Sequence, residues 1–156
     1  MQEKIQIISD GSLDLSRELT RECDILVVPF YVSFDGETYM KEGVELDIRE
    51  FYQRMVDHPD VFPKTSMPSV DDYYQVFLPL AKQDVPMICI CITTKFSGSM
   101  QSATTARDMI LEEYPKARIT VIDAEINTVL QGLYVLEACC ATSALSMTAW
   151  WRGSLP

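Results

Sequence analysis

The feature of this sequence that most constrains its fold is the alternation of short apolar runs with longer segments of helical spacing. The apolar runs cover residues 4–9, 25–29, 85–93 and 117–123. All four have the length of strands, and the continuous run 25–29 is typical of a strand whose two faces are both covered. Strands and helices in this order predict an α/β fold, with an open, mostly parallel sheet and helices on both faces.

Five segments between and after these runs carry the spacing or the start signals of helices. We predict helices over residues 15–23, 46–56, 70–82, 100–113 and 128–140. Asp14 is the expected cap of the first helix. Ser69, with Asp72 three residues later, predicts a capping box at the start of the third.

An antiparallel β-hairpin is predicted ahead of the second helix. Residues 31–34 and 37–40 are rich in β-prone side chains, and the Asp35-Gly36 pair lies between them. Asp-Gly between two such runs is a strong hairpin signal. We therefore expect a two-stranded ribbon that projects from the main sheet.

The charge of the chain excludes several kinds of partner. Its 156 residues carry a net charge of −10 without a cluster of Lys or Arg, so the surface repels nucleic acids and anionic lipid headgroups. The apolar runs are shorter than the roughly 18 residues of a membrane span, and no apolar leader core follows Met1. Five cysteines without CxxC spacing indicate free thiols, so we expect a cytoplasmic protein without stable membrane insertion.

The chain divides into one domain and a tail. Residues 1–140 are predicted to form a single α/β domain, which is long enough to bury a proper core. Residues 141–156 lose the helical spacing and end in a segment that contains Trp150 and Trp151. This atypical tail is either a native loop or an abnormal end, and we favour the abnormal end, through truncation, a frame shift or an expression scar.

Hydroxyl-bearing and small residues gather where the predicted strands end. Ligands of open parallel sheets bind beyond the carboxyl ends of the strands. The residues at these positions are Asp10-Gly11-Ser12, Ser97-Gly98-Ser99, Asp123 with Thr128, and Thr65-Ser66 in a proline-punctuated loop. Two of these segments lead into helix N-termini, whose unpaired N–H groups attract anions. We therefore predict a ligand with a small anionic head, such as a carboxylate or a phosphate.

Other interpretations of the same residues stay open. The serines and threonines are equally typical of helix caps and turns. A hydrolase or phosphotransferase acting on a small anion would use Ser97 or Asp10, although the sequence has no GxSxG elbow and no nucleotide-binding glycine motif. The single histidine, His58, lies at a predicted helix end, where capping is favoured. A protein-interaction module that uses the hairpin is a third alternative.

Four motifs resemble, in the same order, those of the DegV family. Residues 7–15 (IISDGSLDL) resemble the opening segment of the family, and residues 64–69 (KTSMPS) resemble its [KT]-T-S-Q-P-[SA] signature. Residues 96–103 (FSGSMQSA) are similar to L-S-G-[ST]-Y-Q-[ST]-A. Residues 121–132 (VIDAEINTVLQG) resemble the last pattern of the domain, V-I-D-S followed by Ser and Gly.

The resemblance implies a carrier that binds a long-chain fatty acid, such as palmitate, by its carboxylate, and that is not an enzyme and uses no cofactor. Carried over by motif, Thr65 and Ser97 contact the carboxylate, with Ser66, Gly98 and Ser99 as their neighbours. Some members present the acyl chain to a fatty acid kinase, which is the implied partner. Members of the family continue with a second α/β domain, which is absent from these 156 residues.

The sequence departs from the family pattern at three positions. Met67 replaces the usual Gln, Gly11 stands where Ser is common, and Ala124 replaces the Ser after the aspartate. Met67 and Ala124 remove polar groups from the edge of the predicted site, so they bear on which ligand is preferred.

Overall fold

The computed structural model of the protein describes residues 4–142, which form seven strands and five α-helices. The strands are β1 (Gln6–Asp10), β2 (Ile25–Val28), β3 (Tyr31–Ser33), β4 (Met40–Lys41), β5 (Lys64–Ser66), β6 (Met87–Cys91) and β7 (Ile119–Asp123). The helices are α1 (Arg17–Glu22), α2 (Ile48–Asp57), α3 (Val70–Lys82), α4 (Ser99–Glu113) and α5 (Thr128–Thr142). A short 3-10 turn, Gly11–Leu13, follows β1.

The main sheet has four strands in the order β2-β1-β6-β7, and every neighbouring pair is parallel. Ile7 in β1 is paired with Ile25 on one side and with Ile88 on the other. The predicted α/β fold with an open parallel sheet is confirmed.

Side chains that alternate along the strands separate into two apolar cores, one on each face of the sheet. The core against α3 and α4 includes Ile8, Cys89, Cys91, Tyr73, Phe77, Ala106 and Ile110. The core against α1 and α5 includes Ile7, Ile25, Ile90, Val135 and Leu136, with Leu19 packed against it. Burying one large apolar side chain is worth about 1.5–3 kcal/mol, so these faces hold the helices on the sheet. The prediction of helices on both faces is confirmed.

The starts of α1 and α3 test the two capping residues that the sequence predicts. The predicted capping box is present, because Ser69 Oγ accepts from the Asp72 N–H at 3.1 Å and an Asp72 oxygen accepts from the Ser69 N–H at 2.9 Å. The predicted Asp14 cap of α1 is wrong. Asp14 ends the 3-10 turn in a left-handed conformation, with φ of 49°, and Ser16 accepts from the Leu19 N–H instead. The extra turn therefore moves the start of α1 two residues further along the chain.

A second, antiparallel sheet has the order β4-β3-β5. The predicted hairpin pairing of β3 with β4 is confirmed, but its two-residue turn is wrong, because residues 34–39 all lie between the strands. The Asp35 carboxylate shapes this connection by accepting from the N–H groups of Thr38 and Glu37 and from Ser33 Oγ. The same bonds hold the pKa of Asp35 well below its usual range. Such local bonds compete with strand pairing, so both strands are short.

Strand β2 is less covered than its sequence predicts. Leu26 and Val27 are each 37% exposed, whereas Ile25 and Val28 are buried. β2 lies at the edge of the main sheet and pairs only with β1 among the described residues. The prediction that both faces of the strand at residues 25–29 are covered is therefore wrong, because β2 lies at an edge of the sheet.

The predicted tail cannot be compared with the structure, since residues 143–156 lie outside the described residues. Helix α5 continues to Thr142, two residues beyond the predicted boundary at 140. Within residues 4–142, none of the helices has both the length and the apolar character that crossing a membrane requires.

Candidate functional site

The residues predicted to bind an anion lie at one edge of the main sheet. Strand β1 ends at Asp10, and Cys91 at the end of β6 is paired with Asp123 at the end of β7. The segments that follow these strands leave from the same edge, since the strands are parallel. The structure thus brings the Asp10, Ser97 and Asp123 segments together, as the sequence predicts.

Asp10 is fully buried at the centre of a hydrogen-bond network. Its Oδ2 atom accepts from the Ile92 N–H at 2.9 Å and from Ser99 Oγ at 2.7 Å. Its Oδ1 atom accepts from Gln131 Nε2 at 2.9 Å and from both the hydroxyl and the N–H of Ser12. A buried carboxylate is costly unless donors surround it, so this network is what allows Asp10 to lie in the interior.

The hydroxyl of Ser99 lies beneath the surface rather than at it. Ser99 is fully buried, and its Oγ lies 2.6 Å from the Tyr73 hydroxyl as well as 2.7 Å from Asp10. Burial raises the pKa of Tyr73, and the electrostatic effect of the neighbouring Cys91 thiol group raises it further. The Tyr73 hydroxyl therefore stays protonated and can donate to Ser99. Ser99 is predicted to lie beside the ligand, but its buried hydroxyl cannot contact a ligand at the surface directly.

Ser97 and Gly98 lie in a tight turn immediately before α4. The N–H groups of Phe96 and Ser97 both donate to the Thr93 carbonyl, at 2.9 and 3.3 Å. Ser97 Oγ accepts from the Ser99 N–H at 3.2 Å, which leaves its own O–H to donate elsewhere. Ser97 is half-buried and Gly98 is exposed. The hydroxyl of Ser97 and the N-terminus of α4 thus occur together at the surface.

Asp123 anchors the same turn from the β7 side. Its Oδ2 atom accepts from Thr94 Oγ1 at 2.7 Å and from the Thr94 N–H at 3.2 Å, and its Oδ1 atom accepts from the Glu125 N–H at 2.8 Å. The Thr94 hydroxyl bond, opposed by burial and helped by the Glu125 N–H, lowers the pKa of Asp123. These bonds occupy the carboxylate, so Asp123 acts as a support for the turn.

The predicted Thr65-Ser66 segment reaches the Ser97 turn through Met67. A Cβ placed on Gly98 would lie 2.8 Å from Met67 Sδ and 3.2 Å from its Cε. The Met67 side chain therefore lies against Gly98, at a distance that leaves no room for a Cβ unless Met67 moves. This contact brings the end of β5 against the start of α4.

Thr65 and Ser66 leave β5 on opposite faces. In the antiparallel register Thr65 is paired with Val32 and Ser66 with Tyr31, and successive side chains of a strand alternate. Both residues are exposed, and neither is hydrogen-bonded to Ser97 in residues 4–142. One face of β5 can therefore present only one of these two hydroxyls to a ligand.

Sequence reasoning missed two members of the buried network, Gln131 and Tyr73. Gln131 is fully buried, and its Nε2 donates to Ser9 Oγ at 3.1 Å as well as to Asp10. A lone amide beside Gly132 in an otherwise apolar stretch was the available signal for Gln131. Tyr73 gave no such signal, because a tyrosine on the buried face of a helix is ordinary core.

The arrangement does not favour the enzymatic interpretation. Asp10 is fully buried and occupied by donors, and His58 ends α2, where its N–H donates to the Arg54 carbonyl. In residues 4–142, His58 and Ser97 are not joined by a hydrogen bond, so the structure shows no histidine base for Ser97. In the part of the chain that the structure describes, no group of three or more His, Cys, Asp or Glu side chains is placed to hold a metal ion.

A cavity of about 240 Å³ opens at the same edge of the sheet but contains none of the predicted contact residues. It lies between the 3-10 turn, the end of β2 and α2, and its apolar lining includes Val27, Phe30, Ile48 and Tyr52. Glu42, at its wall, has a pKa raised by burial and by the neighbouring Asp14.

The DegV family model, described as an uncharacterised protein family, matches residues 4–144. The chain belongs to the DegV family. A DegV domain-containing protein of Caldanaerobacter subterraneus subsp. tengcongensis is 38% identical over 136 residues, which are 87% of this chain and 46% of that protein. The DegV protein of Bacillus subtilis is 30% identical over 86% of this chain and 46% of its own length. The chain thus spans about half the length of these DegV relatives.

Solved structures of fatty-acid-binding proteins have the same fold. A stearic-acid-binding protein from Eubacterium ventriosum has a TM-score of 0.87 and 46% identity over 95% of this chain and 51% of its own. DegV of Bacillus subtilis, described as a fatty-acid-binding protein, has a TM-score of 0.77 and 27% identity over 94% of this chain and 50% of its own. These structural neighbours bind fatty acids, and their descriptions indicate no catalytic function.

Proposed function

We propose that this DegV chain binds a long-chain fatty acid, such as palmitate, through its carboxylate and acts as a carrier rather than as an enzyme. Thr65 and Ser97 contact the carboxylate, and Gly98 lies beside them, whereas Ser66 lies on the opposite face of β5. The contact of Met67 with Gly98 is the observation that carries this assignment, because it joins the hydroxyl-bearing end of β5 to the hydroxyl-bearing turn before α4. The fatty-acid-binding descriptions of the solved relatives support the same ligand class.

The surface at the Ser97 turn suits a carboxylate. The first N–H groups of α4 have no partner within the helix, and the helix dipole favours an anion at this end. Ser97 has an O–H left to donate, because its oxygen already accepts from the Ser99 N–H. A hydrogen bond to a charged group is worth about 1.5–3 kcal/mol, which orients the head group and prevents an unpaired charge.

Apolar side chains beside the turn suit the acyl chain. Phe96 is 74% exposed and Met67 is 44% exposed, and both adjoin the Ser97-Gly98 pair. Burial of one methylene is worth about 0.8 kcal/mol, so a long acyl chain contributes on the order of 10 kcal/mol before the cost of association. The acyl chain thus supplies most of the affinity, and the hydroxyl groups supply the orientation.

The carrier role extends to a partner. We propose that the protein acts in the cytoplasm and presents the bound acid to a fatty acid kinase. The exposed position of Gly98 and Thr65 supports this step, because a kinase must reach the carboxylate of the bound acid.

Mass spectrometry of the protein, denatured after a mild purification, tests the proposal. We expect a stoichiometric fatty acid of about palmitate size and no turnover of a generic panel of esters and phosphate esters. Turnover of the panel that is lost in Ser97→Ala, with no lipid in the extract, would contradict the carrier and support the hydrolase alternative.

A further inference from the structure

One oxygen atom of Asp10 holds both ends of the segment that carries Ser97. Asp10 Oδ2 accepts from the N–H of Ile92 at 2.9 Å and from the Oγ of Ser99 at 2.7 Å. Ile92 and Ser99 directly flank residues 93–98. Both ends of this turn are therefore hydrogen-bonded to the same buried acceptor atom.

The other oxygen fixes the orientation of that acceptor. Asp10 Oδ1 accepts from Ser12 Oγ and from Gln131 Nε2, and Ser12 Oγ also lies 2.7 Å from Gln131 Oε1. The 3-10 turn and α5 thus hold the carboxylate plane in place. A rotation of the carboxylate would break bonds on both sides at once.

The restraint passes from Asp10 to the hydroxyl of Ser97 through one residue. Ser99 Oγ donates to Asp10, so it accepts from the Tyr73 hydroxyl, and the Ser99 backbone N–H donates to Ser97 Oγ. Ser99 is fully buried, so its own hydroxyl is not exposed to a ligand. Its position nevertheless decides where the Ser97 oxygen lies and which direction remains for the Ser97 O–H.

We propose that Asp10 is a positioning residue that, acting through Ser99 and Ile92, holds the turn so that the Ser97 hydroxyl faces the carboxylate of the ligand. This inference rests on the proposed function and adds to it a buried layer that sets the geometry of the contact. Loss of the link from Asp10 to Ser99 frees one end of the turn, while the bond from Ile92 still holds the other.

Ser99→Ala and Ser102→Ala form a matched pair of variants for the test. Both serines are buried in the first two turns of α4, at 0% and 6% exposure, but only Ser99 is bonded to Asp10. For delipidated protein titrated with palmitate, we expect Ser99→Ala to weaken binding about three- to tenfold, as a lost hydrogen bond does, and Ser102→Ala to weaken it less than about twofold. Equal effects of the two variants would overturn the positioning role.

Amide hydrogen exchange supplies a readout that does not depend on the ligand. We expect faster exchange at the N–H groups of Ser97 and Gly98 in Ser99→Ala, with the exchange of the central α4 residues unchanged. Unchanged exchange at the turn would overturn the inference. If wild-type protein failed to bind palmitate, the proposed function would fall, whereas faster exchange at the turn would still support the positioning by Asp10.

Asp10→Asn provides a second variant of conserved shape. The Ile92 N–H cannot reverse its direction, so the asparagine oxygen is expected at the Oδ2 position and its amide group on the Ser12 and Gln131 side. There the Gln131 amide must flip so that its oxygen faces the new N–H group, and the Ser12 N–H loses its acceptor. We expect palmitate binding within about threefold of wild type, since the link to Ser99 is kept. The proposal would be contradicted if Asp10→Asn folded but its Ser97 N–H exchanged hydrogen as fast as the same group in Ser99→Ala.

Discussion

Gly132 in α5 lies so close to Leu13 that a Cβ on Gly132 would overlap the Leu13 carbonyl oxygen. This approach packs α5 directly on the 3-10 turn that follows β1. It also carries the neighbouring residue, Gln131, within hydrogen-bonding distance of Asp10. The close approach and the buried network are therefore parts of one arrangement.

Gly132→Ala should destabilise the protein substantially. The obstructing atom belongs to the backbone of a turn that cannot move without disturbing Asp10, so α5 itself must shift. Forced overpacking of this kind costs about 1–3 kcal/mol in the free energy of unfolding, which urea denaturation would measure.

Gly98→Ala is the control for that experiment. The atoms that a Cβ would meet there are Met67 Sδ and Cε, the end of a flexible side chain that can swing aside. We expect a loss of less than about 1 kcal/mol in the free energy of unfolding, since no backbone has to move. Equal losses for Gly98→Ala and Gly132→Ala would contradict the account of the close approach of α5.

Gln131→Ala should remove donors and an acceptor from the buried network. Ser9 and Asp10 would each lose the hydrogen bond that Gln131 Nε2 donates, and an unsatisfied buried group costs about 1–3 kcal/mol. We expect a drop in the thermal midpoint that Gln101→Ala, at an exposed position of α4, does not show. A similar midpoint for both variants would show that the network does not stabilise the fold.

The stability of the protein should depend on the ionisation of Asp72. Burial raises the pKa of Asp72, but hydrogen bonds from Lys41, Ser69 and Tyr31 outweigh it and lower the pKa to about 2. A folded-state pKa below the unfolded value contributes stability that is fully present above the unfolded pKa and is lost as the pH falls towards the folded pKa. With an unfolded value of 3.8, the loss falls between about pH 4 and pH 2 and amounts to about 2 kcal/mol.

Asp72→Asn tests this assignment through urea denaturation at several pH values. We expect the variant to be less stable than wild type at pH 7 and the difference to shrink as the pH falls from 4 towards 2. Asp71→Asn, one residue earlier in the first turn of α3, is the matched control, because among residues 4–142 the Asp71 carboxylate accepts a side-chain hydrogen bond only from the exposed Gln75. A pH-independent difference for Asp72→Asn would contradict the prediction.

The sequence predicted the main fold because its strands and helices follow simple periodicities. Strands β1, β6 and β7 are apolar runs, and the Ser69 capping box marks the start of α3. The errors occur where short polar side chains redirect the backbone. Asp14 adopts a left-handed conformation, so α1 begins later than predicted. Asp35 accepts hydrogen bonds from nearby N–H groups, which lengthens the connection between β3 and β4. Strand β5 was predicted as a loop, because three residues between prolines carry no periodic signal.

The position of the candidate site at the carboxyl edge of the main sheet was predictable, whereas the buried hydrogen-bond network beneath Ser97 was not. Ser97 and Asp10 follow from their positions at strand ends, which is a rule of topology. The burial of Ser99 depends on packing between α3, α4 and β6, which no local pattern reveals. The same holds for the opposite directions of Thr65 and Ser66, since strand register has to be known before their faces can be assigned.

The most direct test of the account is the affinity of delipidated protein for palmitate, measured for wild type, Thr65→Ala, Ser97→Ala and the double variant. We expect each single change to weaken binding about ten- to a hundredfold, because a partly desolvated carboxylate loses a donor, with little change in thermal stability. The double variant should lose less than the product of the two factors if both hydroxyls act on one carboxylate, since the first loss already admits water. The account would be contradicted if Ser97→Ala lowered thermal stability without changing palmitate affinity and Thr65→Ala also left the affinity unchanged. The two hydroxyls would then only shape the turn and the strand.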